Sequence, residues 1–348
     1  MRSTFKKEDV TLLLKDITGM VEPLPASVRE KRIQSGMHYS MMLPLEYTPS
    51  DDYIRVYENA LAASGQRAAD AIAVCAERIF KKKGKNTVIV SLARAGTPIG
   101  VLITRYLRKK YSVECPHYSI SIIRDRGIDI NAIDYILKRH RPEAVQFVDG
   151  WTGKGTIYRE LKKEVRRFSG VSSELAVPAD PAGLTSLCGT HDDILIPSSC
   201  LNCTVCGLIS RTFLRDDIIG EDDFHGAAFY GELKQSDRTY EFIDHIENLF
   251  NYDIKVHDEE PVSGTSDAAM ISEKYGISDI NLIKPGIGET TRVLLRRVPW
   301  KVIVNSRYIG SEELRPVMQL AEEKNVPVES QALYNYKCVG LIQQMKDV

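Results

Sequence analysis

An acid, two threonines, a lysine and three glycines crowd into Asp149-Gly-Trp-Thr152-Gly153-Lys154-Gly155-Thr156, directly after the apolar run Val145-Gln-Phe-Val148. These residue types in this order suit the holding of a phosphorylated sugar. The apolar run reads as a buried strand, and the residues from Thr156 onward repeat apolar positions at helical spacing. A glycine-rich turn between a strand and a helix lets backbone N–H groups and the positive helix end converge on an anion. Asp149 repels phosphate, so its expected work is to accept hydrogen bonds from sugar hydroxyls. The structural alternative is a plain strand-to-helix turn.

Two further segments carry the same grammar. Val88-Ile-Val-Ser-Leu92 runs into Ala93-Arg94-Ala95-Gly96-Thr97-Pro98, followed by a helical pattern, with Arg94 the natural partner for an anion beside the turn. Tyr118 to Ile123 is a strand that opens into the charged stretch Arg124-Asp125-Arg126-Gly127. Arg124 and Arg126 read as a solvated surface pair or as functional groups.

In this order the three segments resemble the type I phosphoribosyltransferases. The resemblance implies an α/β fold, with a parallel sheet covered by helices on both faces, and a second small pelota-like α/β domain behind it. It implies transfer of a ribosyl phosphate from phosphoribosyl pyrophosphate, with Mg²⁺ held mainly by substrate phosphates, to an unidentified nucleobase-like small-molecule acceptor. On that reading Asp149, Arg94 and Arg124 are catalytic. Thr152, Gly153, Lys154, Gly155 and Thr156 hold one phosphate, while Ala95, Gly96 and Thr97 hold the leaving pyrophosphate. Asp180, Ser198, Ser199, Asn202 and Arg211 form the acceptor pocket. Those enzymes carry two adjacent acids where this chain has a single Asp149, so the second acid's role has no residue here. A sensor that binds the same ligand without turnover is the alternative.

The composition bounds the rest. The 348 residues leave room for two domains. A formal net charge of −1 gives no global attraction to nucleic acid, so any such contact must be local. No apolar run approaches the ~20 residues of a membrane helix, and the N-terminus has no secretory pattern, so a cytoplasmic protein without membrane contact is expected. The chain has seven cysteines. In Cys200-Leu-Asn-Cys203-Thr-Val-Cys206, with Cys188 and His191 upstream, the spacing could suit zinc or an iron–sulfur cluster. Small residues around the triplet favour a packed, helix-like turn instead, so no metal set is expected. His38 and Tyr39 face a substrate or pack at a domain seam.

Three regions are expected: an extension over residues 1–50, a sheet domain over 51–260 and a second unit over 261–348. The extension opens on a helical pattern, Glu8 to Ile17. Apolar residues recur helically from Tyr53 to Phe80 before Lys81-Lys-Lys-Gly84, a cationic last turn and glycine stop. Strands are expected at Val88 to Val90, Tyr118 to Ile123, Ala144 to Val148 and Glu174 to Val177. The second unit resembles the pelota type of RNA-binding domain through Gly286, Gly288, Glu289, Thr290, Thr291 and Arg292. With Arg296 these residues are implied to meet structured RNA. From Asn281 to Gly310 six Lys or Arg stand against one acid, the local excess that phosphate contact needs. The two units together resemble a bacterial family of tellurium-resistance and stress gene clusters, some of whose members are labelled stress-induced cysteine proteases. On that alternative Cys200, Cys203 or Cys206 would pair with His191 or His225. Assembly into an oligomer is possible.

Overall fold

The computed structural model describes residues 1–257 and 265–344. Six parallel strands lie side by side in the spatial order Thr11–Leu12, His117–Ile120, Val88–Leu92, Val145–Val148, Leu175–Ala179, Cys188–Thr190. Their side chains alternate between two cores. Ile89 joins the core beneath the helices Asp51–Lys83 and Gly96–Tyr111, whereas Val88, Val90 and Leu92 pack with Ile133, Ile136 and Leu161 on the other face. The chain leaves Val88–Leu92 for one neighbour and later returns to its opposite side at Val145–Val148. That reversal opens a crevice beyond the carboxyl ends of these two strands, the place where open α/β sheets bind ligands. The α/β class and the second lobe agree with expectation, while the finer phosphoribosyltransferase-type fold is not established.

The 33-residue helix Asp51–Lys83 shows how local sequence sets an element. Ser50 caps it by accepting from Tyr53 N at 3.2 Å, and Asp51 and Asp52 face the positive end. It ends on three lysines and on Gly84, whose φ of 69° suits glycine. The N-terminal extension departs from expectation. Residues 8–17 form no helix. Instead Thr11–Leu12 adds an edge strand to the sheet, and Lys15–Asp16 pairs with Gly226–Ala227. Residues 1–50 are therefore built into the first lobe. The charged stretch after Ile123 is a short antiparallel hairpin, Ile122–Ile123 with Gly127–Ile128, and Asp129 then caps the next helix through Ala132 N.

The second lobe is a four-stranded sheet in the order Ile283–Pro285, Cys338–Ile342, Pro299–Asn305, Val328–Gln331. The first two contacts are antiparallel and the third is parallel. The expected boundary between the two units, at 260 and 261, lies outside the described residues. The lobes share one apolar core. Ile287, Leu294, Val317 and Leu320 belong to the cluster that holds Tyr57, Ile72 and Ile196. At the seam the buried Asp193 carboxylate accepts Ile287 N–H at 3.0 Å and Lys337 N–H at 2.8 Å.

Asparagine at position 193 would offer one oxygen and turn a donor toward the other N–H. Asp193→Asn is therefore expected to cost about 1–3 kcal/mol of stability, read as a lower denaturant midpoint.

Candidate active site and seam cavity

A cavity of about 640 Å³ lies where the glycine-rich turn meets the second lobe. It is lined by Asp149, Trp151, the whole turn Thr152–Thr156, Tyr39, Arg124 and Arg211 from the first lobe, and by Lys284, Glu289, Arg292 and Arg297 from the second. Gly155 sits at φ 79°, and a Cβ there would stand 2.4 Å from Leu184 Cδ1, so both conformation and space demand glycine. Over Gly153 the space is taken by Glu289, whose Cγ lies 3.1 Å from where a Cβ would be. Lys154 reaches across to the carbonyl oxygens of Ile280 and Ile283. Burial, with Lys284 nearby, pushes Lys154 down to about 7.

The remaining residues expected at a transferase site are dispersed. Arg94 does not line this cavity but borders a smaller pocket that shares Asp149, Arg211 and Lys284 with it, and it donates to Ile209 O at 2.9 Å and to Glu46 at 3.0 Å. A Cβ on Gly96 would meet Val148 O at 2.6 Å, so this glycine serves helix-to-strand packing. Thr97, at the start of the helix Gly96–Tyr111, bonds Ser119 of the strand His117–Ile120 at 2.8 Å, leaving Ala95 as the one member of that turn that lines the cavity. Of the expected acceptor residues only Arg211 reaches it. Ser198 and Ser199 are buried in the short turn Pro197–Cys200, and Asn202 accepts from Arg296.

Asp180 belongs to a different group. Leu175–Ala179 ends at Asp180, Cys188–Thr190 runs beside it, and the tight turn after that strand brings His191 back. Cys188 Sγ lies 3.5 Å from His191 Nε2 and 3.8 Å from Nδ1. His191 Nδ1 is 3.3 Å from Asp180 Oδ2 and 3.1 Å from the Asp180 carbonyl oxygen. Asp180 is fully buried and accepts from Thr152 Oγ1 at 2.5 Å and from the N–H groups of Leu184 and Thr185. Burial pushes its carboxyl above the ordinary range, against the hydrogen bonds that favour the charge. Sulfur, imidazole and carboxylate in sequence form the chain a thiol nucleophile uses: a base for its proton and an acid to orient that base. The three ligand atoms lie within 4.8 Å of one another, so the set also has the chemistry of a three-ligand zinc site.

The other expected thiols are poorly suited. Cys200, Cys203 and Cys206 are buried and free, and burial raises all three, Cys200 to about 12. His225, expected as a possible partner, is held by Ser121 at 2.8 Å, and burial pushes it down to about 4. The sequence carried the better pair as Cys188-Gly-Thr-His191, with Asp180 eight residues upstream.

Comparison with known proteins decides the family. Residues 3–247 match the family described as tellurite-like stress resistance cysteine protease StiP. The chain belongs to the StiP family. Residues 262–344 match the PELOTA RNA binding domain. A relative from Acinetobacter baylyi, described as cysteine protease StiP, is 36% identical over 366 residues, covering 98% of this chain and 94% of its own length. These findings overturn the expectation of phosphoribosyl transfer and point instead to the cysteine protease alternative. The stress-cluster family and the pelota-type domain stand. No helix among the described residues is long and apolar enough to cross a membrane.

The implied RNA contacts meet a steric obstacle. Gly286, Gly288, Thr290 and Thr291 are buried. A Cβ on Gly288 would stand 2.4 Å from the Trp151 ring, which Arg292 covers from 4.3 Å. This turn faces the first lobe, with Glu289 and Arg292 bordering the cavity and Arg296 bonded to Asn202.

Burial raises Asp149 to about 6, offset in part by the Gly150 N–H and Arg292. The folded chain keeps that proton up to about pH 6, whereas an unfolded aspartate loses it near 4. Between these values the folded state binds more protons, so this group lowers stability as pH rises. Asp149→Asn is expected to flatten the stability profile across that window, measured by denaturant unfolding at stepped pH.

Proposed function

We propose that the protein is a cysteine peptidase in which Cys188 is the nucleophile, His191 its base and Asp180 the group that orients the imidazole. The observation that carries this reading is the approach of Cys188 Sγ to His191, itself held by Asp180. The descriptions of the matched family and of the Acinetobacter relative support it. In the reaction His191 takes the thiol proton as sulfur attacks a peptide carbonyl carbon. The proton then passes to the leaving amine, and water releases the acyl group from sulfur. Cys188 is only 1% exposed, so a substrate reaches it after the surrounding turns move. Thr152 is a positioning residue on this reading, since its hydroxyl fixes Asp180 from the side opposite His191.

Release of fluorescent peptides from labelled casein tests the proposal. Cys188→Ala is expected to abolish turnover, and His191→Gln to reduce it by two or more orders of magnitude. The triple variant Cys200→Ser, Cys203→Ser, Cys206→Ser should retain it if folded. Casein cleavage unchanged in Cys188→Ala would remove Cys188 from the mechanism. Activity that chelation abolishes and zinc restores would instead favour the metal arrangement of the same three side chains.

A second reading, RNA contact by the C-terminal lobe, is supported by the match of residues 262–344 to the PELOTA RNA binding domain. Use of the turn Gly286 to Arg292 requires the lobes to part. RNA retention is therefore expected to be salt-sensitive and to increase in Asp193→Asn, which loosens the seam. Equal retention by wild type and variant would place any RNA contact on another face.

A further inference from the structure

Three consecutive residues of the second lobe, Asn335, Tyr336 and Lys337, reach the first lobe at three points, and each point lies next in sequence to a residue of the thiol site. Asn335 Nδ2 donates to the carbonyl oxygen of Pro181, which follows Asp180. Tyr336 Oη donates at 3.0 Å to the carbonyl oxygen of Gly153, which follows Thr152, the residue whose hydroxyl donates to Asp180. The Lys337 ammonium lies 3.2 Å from the carboxylate of Asp192, which follows His191, and 2.5 Å from Glu313 of its own lobe. Arg67 of the helix Asp51–Lys83 pairs with the same two acids, so two cations and two carboxylates meet across the seam.

The backbone of this strip is fixed within its own lobe. The fully buried Asp267 carboxylate accepts the N–H groups of Tyr334, Asn335 and Tyr336 at 2.7, 2.8 and 3.1 Å. Asn305 Nδ2 donates to the carbonyl oxygens of Leu333 and Tyr336, each at 3.1 Å. A buried carboxylate that receives three N–H groups is well compensated, and none of these backbone bonds involves the first lobe. The strip therefore moves as part of the second lobe.

Cys188 is buried, and the chain leaves Asp180 through Pro181 before it and passes from His191 into Asp192 after it. Both of those flanking segments are tied to the strip. A peptide carbonyl carbon cannot come within bonding distance of Cys188 Sγ until they move. We propose that Asn335–Lys337 is an autoinhibitory latch: seated, it holds the turns about Cys188 closed, and withdrawal of the second lobe frees them and exposes the thiol. The proposal rests on the assignment of Cys188, His191 and Asp180 as the reacting set. Opening breaks the contacts of all three side chains, and a ligand that binds the parted second lobe more tightly than the seated one shifts the balance toward the open form.

Reaction of the full chain with iodoacetamide, followed at each cysteine by peptide mass spectrometry, tests the latch without relying on turnover. In wild type Cys188 is expected to react far more slowly than in the urea-unfolded chain. The double variant Asn335→Ala, Tyr336→Phe removes two of the three contacts and should speed alkylation of Cys188 by about tenfold or more. Cys200, Cys203 and Cys206 are buried elsewhere in the first lobe and report general loosening of the fold. Casein cleavage by the double variant is expected to rise above wild type. Equal alkylation of Cys188 in wild type and variant overturns the latch, as does a rise shared equally by the other three thiols. Faster alkylation of Cys188 alone, without a rise in cleavage, keeps the latch and counts against the peptidase assignment.

Discussion

The buried carboxylate of Asp193 is the joint on which the two lobes turn. A charge removed from water is costly without compensation, and here each oxygen receives a backbone N–H from a different element of the second lobe. Burial raises its carboxyl to about 7 even so, against the two N–H groups and the Lys337 charge that favour the ionised form. Because Ile287 N–H belongs to the first turn of the helix Ile287–Arg296, Asp193 caps that helix from outside its own lobe. Seating the helix end sets Gly288 against Trp151 and carries Glu289 over Gly153. The cavity follows from this seating.

Elements made by continuous local pattern were legible in the sequence. The alternation of apolar strands with amphipathic helices and the lysine–glycine end of the long helix both depend on neighbours within a few residues. Short strands were not. Thr11–Leu12 and Cys188–Thr190 hold two and three residues, too few to display a period, and exist because a longer strand offers them an open edge. The helical spacing at Glu8 to Ile17 was overridden by that tertiary pairing. Likewise Cys188 and His191 stand close together in the sequence, but Asp180 joins them only through a strand pairing, whereas Cys200, Cys203 and Cys206 stand out on paper and lie buried in the core.

The glycines explain how the site was read for a different chemistry. A glycine that lets a ligand approach the backbone and one that lets another side chain approach leave the same mark in a sequence. Gly155 yields to Leu184, Gly288 to Trp151 and Gly96 to a strand carbonyl. Close packing between protein parts accounts for each. Thr152 shows the converse economy, since it opens the glycine-rich turn and also bonds Asp180. One residue therefore belongs both to the wall of the cavity and to the support of the thiol site.

The order of strands in the second lobe bears on how the protein is made. Cys338–Ile342, fully buried, lies between Ile283–Pro285 and Pro299–Asn305 although it follows both in the chain. During synthesis those two strands emerge with an unfilled lane between them, and Asp193 has only one of its two donors, because Lys337 immediately precedes the missing strand. The lobe cannot close row by row as it leaves the ribosome. The central strand joins the sheet only after both of its neighbours have been made, and the second donor to Asp193 arrives with it.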